Sequence, residues 1–186
     1  TLFQFALMGS VLTSAVENIE APTVGLLNVG EEEIKGKESV KQASALLTES
    51  DLNYVGFVEG DDVYNGVVDV VVCDGFTGNI SVKTAEGVAQ LLTYFIKKEF
   101  NRNFATKLAG IISKPVLNAF KRKIDYRSYN GASLVGLQGI VIKSHGGADE
   151  LAFGYAIKEA IVEVEKNVPS RIKEQLESIM SKRQAV

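Results

Sequence analysis

Lys143-Ser144-His145-Gly146-Gly147 places a cation, an imidazole and a glycine turn within five residues. His145 is the only histidine, so any imidazole acid–base step must fall on it. In extended backbone Lys143 and His145 share one face, a pattern that suits a phosphorylated or anionic ligand. A purely structural histidine fits the same residues. A second constellation is Asp74-Gly75-Phe76-Thr77-Gly78-Asn79, with Lys83 further along. If a helix starts here, its first N–H groups and partial positive charge face the turn. Gly75 and Gly78 would let an anion approach the backbone, and Lys83 would add charge. The GxxxxGK[ST] spacing of a nucleotide-phosphate loop is absent, and a plain strand–turn–helix junction reads equally well. A third cluster is Asn28-Val29-Gly30-Glu31-Glu32 with Lys35-Gly36.

Other candidates carry less chemistry. Cys73 stands beside Asp74, which opposes thiolate formation, so it reads as a buried strand cysteine. Asp61 and Asp62 read as a solvated turn. One histidine and one cysteine exclude a Cys/His zinc site. No GxSxG and no GxGxxG occurs, so neither an esterase elbow nor a dinucleotide fingerprint is present. This reading calls for no metal and no cofactor.

The elements that must position these residues alternate between strand and helix. Phe3, Leu7, Val11 and Ala15 recur at helical spacing in an opening core helix that lacks the ~20 apolar residues of a membrane span. No basic segment precedes it, so it is not read as a secretory signal. Strands are predicted over 23–29, 53–58 and 67–73. The last is a valine run around Asp69, as in a parallel sheet buried on both faces. Helices are predicted from Ser39 to about Glu49, from the Asp74–Asn79 turn to about Phe100, and from Asp149 to about Lys166. The third of these turns Ala152, Ala156, Ala160 and Val164 inward. The stretch 104–125 reads as two helices broken at Ser113-Lys114-Pro115, 133–145 as an interrupted strand, and Pro169 restarts a final helix. The class is therefore α/β with a largely parallel sheet, and ligands in such sheets bind beyond the carboxyl ends of the strands.

The 186 residues form one expected domain, 1–186, with an expected helical hairpin at 101–127. A single cysteine excludes an intrachain disulfide and fits a reducing cytoplasm. The net charge of −3 argues against a nucleic-acid partner. It is an average, however: 97–127 carries +7 and the remainder −10. Leu108, Ile111, Ile112, Val116 and Leu117 lie among those cations, near Lys114 and Lys121. Such a segment suits an anionic membrane surface, an acidic protein partner, or a plain solvated helix.

Taken together, these stretches resemble one family, the bacterial phosphate acyltransferases (phosphate:acyl-ACP acyltransferases) of phospholipid synthesis. The resemblance rests on Gln4 to Ser10, Val24 to Glu32 with Lys35-Gly36, Phe57 to Gly60 and Asp69 to Asn79. It continues through Lys83-Thr84, Tyr129 to Leu134 and Val141 to Gly146. It covers nearly the whole chain. Family members are about twice as long, and their Asp-Ala-Met-Gly-Gly-Asp motif has no counterpart here, so the chain is expected to be the C-terminal part of a longer enzyme. The resemblance implies a Rossmann-like α/β/α sandwich, similar to the isopropylmalate dehydrogenase and phosphotransacetylase folds, in a homodimer. It implies transfer of an acyl group from acyl-ACP to inorganic phosphate, giving acyl phosphate. It also implies cytoplasmic enzymes held peripherally at the membrane by a helical hairpin, here 108–117. A non-catalytic ACP- or membrane-binding piece and a dehydrogenase-like enzyme are the alternative readings.

In that reaction phosphate itself is the nucleophile, so no covalent enzyme nucleophile is needed. Gly75, Thr77, Gly78, Asn79 and Lys83, with Asp74 at the turn, are the expected phosphate or oxyanion contacts. Lys143 and His145 come next, His145 orienting phosphate or protonating the leaving thiol. Asn28, Glu31 and Lys35 are expected to shape the adjoining wall. These roles follow from placement at strand ends.

Overall fold

The computed structural model describes residues 1–184, and the side chains of all of these except Tyr126 and residues 180–184. The chain order is α1 (Leu2–Glu17), β1 (Val24–Leu27), α2 (Glu38–Thr48), β2 (Tyr54–Val58), α3 (Asp62–Asn65), β3 (Val70–Val72), α4 (Gly75–Phe100) and α5 (Phe104–Lys123). A 3-10 turn (Tyr126–Tyr129) leads into β4 (Ala132–Ser133), β5 (Ile142–Lys143), α6 (Glu150–Glu165) and α7 (Val168–Gln184).

The expected α/β class holds, on a small parallel sheet of order β2-β1-β3. The central strand buries Val24 and Leu26, and Val58 and Val72 close over it from the two sides. Gly25 is required there, since a Cβ would lie 2.7 Å from the Val58 Cγ1 methyl. A side-chain clasp fixes where β1 begins. The Thr23 backbone N–H and hydroxyl both donate to one Asp69 carboxylate oxygen at 2.7 Å, and Asp69 N–H donates back to Thr23 Oγ1 at 2.9 Å. These bonds hold the Asp69 carboxyl below its usual range.

Two apolar cores form. Phe3, Ala6, Val24, Leu26, Ala43, Leu47 and Val72 join α1 and α2 to the sheet. Met8, Ala15, Val168 and Ile172 join α1 to α7. Of the predicted α1 stripe, Phe3, Leu7 and Ala15 are buried and Val11 is half-buried.

Three sequence expectations are corrected. First, α5 is unbroken, with Pro115 inside it. An interior proline costs about 3 kcal/mol, yet a stronger stop lies upstream. Asn103 Oδ1 accepts from Thr106 N–H at 2.9 Å, and Asn103 N–H donates to Thr106 Oγ1 at 3.0 Å, a reciprocal cap that starts α5 eleven residues before Pro115. The helical hairpin is therefore α4 against α5, turning at Asn101–Asn103. Second, 133–145 is not one strand. Ala132–Ser133 and Ile142–Lys143 pair antiparallel, and Gly136 between them adopts φ +87°. Third, the inward face of α6 holds Ala152 and Ala156 but then rotates. Val164 is 65% exposed, whereas Glu163 is 2% exposed with Oε1 unpartnered. Burial, then the charges of Glu163 and Glu17, push the Glu159 carboxyl above its usual range.

α4 buries none of its 26 residues, and α5 none of its 20. Ile111 and Ile112 are 68% and 73% exposed, and Phe76, Leu91, Tyr94 and Phe104 are also largely uncovered. No described helix is both long and apolar enough to cross a membrane.

Candidate functional site

Two crevices lie on the two sides of the N-terminal part of α4. The first, about 250 Å³, opens where β1 and β3 end, between Asn28, Gly36, Lys37, Cys73, Asp74 and Thr77. Asn28 lines it and pins the loop after β1. Its Nδ2 donates to Gly30 O at 3.0 Å and to Lys35 O at 3.3 Å. Gly36 has φ +88°, and a Cβ there would collide with the Asn28 carboxamide, so only glycine fits. Lys35 turns to Glu32 in a 2.8 Å ion pair, and Glu31 is exposed. Neither Glu31 nor Lys35 lines the crevice.

Asp74 caps α4. One carboxylate oxygen accepts from Thr77 N–H and the other from the Thr77 hydroxyl, both at 2.8 Å. Lys37 Nζ adds a 3.2 Å contact. These partners, the Thr77 backbone bond foremost, hold the Asp74 carboxyl down at about 2. A fixed carboxylate therefore sits at the helix N-terminus, with Lys37 beside it. The Cys73 thiol is pushed up, by burial first and by Asp74 second, so it is a poor nucleophile.

The second crevice, about 380 Å³, brings Asn79 of α4 together with Lys143 and His145. Val82 and Glu86 of the same helix line it, while Lys83 is exposed outside it. Gly75 and Gly78 lie in the first turn of α4 but do not line this space. Lys143 and His145 both line this space, but so does Ser144 between them, and β5 ends at Lys143, so strand alternation is not what brings them there.

A side chain that sequence reasoning passed over as a turn residue holds His145. Asn130 Oδ1 accepts from His145 N–H at 2.8 Å, and its Nδ2 donates to Ser144 Oγ at 2.9 Å and Ala152 O at 2.8 Å. The Gly147 N–H donates to His145 Nδ1 at 3.1 Å. With Nδ1 accepting, the neutral imidazole carries its proton on Nε2. Arg127 was also missed. Its Nε donates to Asp125 at 2.8 Å and its Nη1 to Asp149 at 2.7 Å, while Asp149 caps α6 through Ala152 N–H at 2.9 Å. Arg127 thereby ties the 3-10 turn to α6, and its pKa is driven up by both carboxylates. The signals in the sequence were Asn130 before Gly131, and Asp149 as a helix cap.

Chemically, the second crevice offers a proton on Nε2, an ammonium and a carboxamide around one space, with no thiolate and, among the described residues, no cluster able to hold a metal. This fits a reaction that positions an anion and moves a proton, without covalent attachment to the protein.

A model of the family described as "Fatty acid synthesis protein" matches residues 1–171, and the chain belongs to that family. Among its relatives are proteins named "Phosphate acyltransferase". That of Nitrosococcus oceani is 56% identical over 185 residues, covering 100% of this chain and 54% of the relative. That of Methylococcus capsulatus is 58% identical over 98% of this chain and 54% of its own length. That of Legionella pneumophila strain Paris is 52% identical, over 97% and 53%. The chain thus spans about half the length of the curated relatives it matches.

Proposed function

We propose that the polypeptide carrying this chain transfers a fatty acyl group from acyl-ACP to inorganic phosphate, supplying acyl phosphate for phospholipid synthesis. The observation that carries this reading is identity of more than half the residues, along essentially the whole chain, to relatives named phosphate acyltransferase.

In this reading the second crevice is where the reaction takes place. A phosphate oxygen attacks the thioester carbonyl carbon, and the C–S bond breaks as the new C–O bond is kept. The proton that HPO4²⁻ brings ends on the thiol sulfur, while His145 Nε2–H donates a hydrogen bond that orients the phosphate or the departing sulfur. Lys143 balances phosphate charge, and Asn79 donates to phosphate or to the carbonyl oxygen as it gains charge. Lys83 attracts the anion from outside the crevice. Asp74 and Thr77 at the start of α4, with Asn28 and Gly36 across from them, set the adjoining crevice.

The finer architecture belongs to the same proposal: a Rossmann-like α/β/α sandwich completed by further residues of the polypeptide, in a homodimer, and peripheral at the cytoplasmic face of the membrane. The uncovered apolar residues of α4 and α5 support it, since a run of exposed apolar side chains along two helices suits a contact surface. Leu108, Ile111, Ile112, Val116 and Leu117, with Lys114 and Lys121, are the proposed contact with an anionic membrane or with ACP. The test is direct. The complete polypeptide is mixed with acyl-ACP and phosphate, and free ACP thiol and acyl phosphate are measured. Their appearance in equal amounts, dependent on phosphate, is expected. No thiol release above the uncatalysed rate would overturn the proposal.

A further inference from the structure

A groove of about 440 Å³ runs between α4 and the end of α5. Ala89, Thr93, Tyr94 and Ile124 supply its apolar wall, and the polar Gln90, Lys97, Lys121, Asp125 and Arg127 line the rest. The Thr93 hydroxyl donates to Ala89 O at 2.8 Å, so its hydrogen is spent within the helix rather than offered to a polar ligand. Lys97 and Lys121 are exposed and reach solvent with their ammonium groups, leaving aliphatic stems along the wall. The volume falls in the range of small-molecule sites.

The groove adjoins the His145 crevice along α4, where Val82 and Glu86 line the crevice and Ala89 and Thr93 the groove. Arg127 lines both, and Asp125 and Asp149 neutralise its guanidinium. A ligand whose reacting end sits at His145 and Lys143 would pass over Arg127 into an apolar trough. An anion has reason to stay in the first space, and a hydrocarbon has reason to lie in the second.

We infer that the α4–α5 groove is the subsite for the hydrocarbon chain of the acyl donor, with Ala89, Thr93 and Ile124 setting how long a chain is accepted. This inference rests on the acyl-transfer reading above, and makes these three residues specificity determinants that touch neither phosphate nor the thioester.

The test uses the complete polypeptide with butanoyl-ACP and hexadecanoyl-ACP as donors to phosphate. Ala89→Leu and Thr93→Ile narrow the trough. Each should lower kcat/KM for the hexadecanoyl donor about tenfold or more while leaving the butanoyl donor unchanged, since a single misfit methylene in an apolar pocket is worth roughly that much. Equal loss for both donors, or no change for either in folded protein, overturns the inference. So does a change in oligomeric state with an unchanged chain-length profile, which would make the groove a contact between copies. A second measurement does not depend on turnover or on the variants folding. A hexadecanoyl thioester bearing a terminal diazirine is photolysed with the wild-type protein. Labelling of peptides containing 89–94 and 121–124 supports the subsite, and labelling confined elsewhere overturns it. Wild-type protein that transfers neither acyl group refutes the acyl-transfer reading itself, while the photolabel still reports on the groove.

Discussion

The backbone N–H of Gly147 donates to Nδ1 of His145 at 3.1 Å, and this one bond decides which ring nitrogen carries the proton. Nε2 becomes the donor that the crevice can use. His145→Ala in the complete polypeptide removes that donor. Turnover of acyl-ACP with phosphate should fall about 100-fold or more, with KM for phosphate changed less. Unchanged kcat would remove His145 from the mechanism.

Asn130 fixes the segment that carries His145 through three side-chain hydrogen bonds. Asn130→Leu leaves the His145 N–H and the Ala152 carbonyl without their partner. A loss of about 1–3 kcal/mol is expected in denaturant unfolding, together with reduced kcat. Asn130→Asp can still accept from His145 N–H and should recover part of the activity, which a merely packing role would not predict.

Asp74 gives a pH dependence of defined sign. Its folded pKa, about 2, lies below the ordinary 3.8, so its cap stabilises the fold above 3.8 and is lost as pH falls through about 2. Unfolding midpoints measured from pH 5 downward should therefore slope less steeply for Asp74→Asn than for the parent. Identical slopes would show that the carboxylate is not held by Thr77 and Lys37 in solution.

Gly36 meets Asn28 at φ +88°. Gly36→Ala should destabilise the protein by about 1–3 kcal/mol, through positive-φ strain and collision with the Asn28 carboxamide. An unchanged thermal midpoint would mean that the loop after β1 moves freely.

On the hairpin, Ile111→Asp with Ile112→Asp should release the complete polypeptide from vesicles containing anionic lipid, in a flotation assay. Persistent binding would rule out this face as the membrane contact. If ACP is the partner, its affinity should fall with added salt, and a salt-independent affinity would rule out electrostatic docking there.

The sequence reveals what local pattern controls. The valine run before Asp74 reads correctly as a parallel strand, but not as one buried on both faces: β3 lies at the sheet edge and Val67 is exposed, which no local pattern tells. Lys143-Ser144-His145 stays together because three consecutive residues cannot separate far. The break in 104–125 was misplaced because proline is a conspicuous signal, while the Asn103–Thr106 cap that ends the turn is a quiet one. The strand predicted over 133–145 failed because its glycines permit the chain to fold back on itself. Arg127 could not be recognised from its neighbours alone. One of its carboxylate partners lies two residues away, but the other lies 22 away and meets it only when α6 docks on the 3-10 turn. Glu163 was hidden for a similar reason: only tertiary packing makes a glutamate the buried residue where Val164 was expected.

The unbroken run of α4 has a mechanical consequence. At 26 residues it is a rod of about 39 Å, with Asp74 and Asn79 at one end and the hairpin turn at the other. Whatever grips the turn is held at a fixed stand-off from His145, too far to touch the reacting atoms. Under the proposed function the helix would be a spacer between mooring and chemistry, and a product made in the crevice would have to cross that distance before reaching anything anchored at the tip.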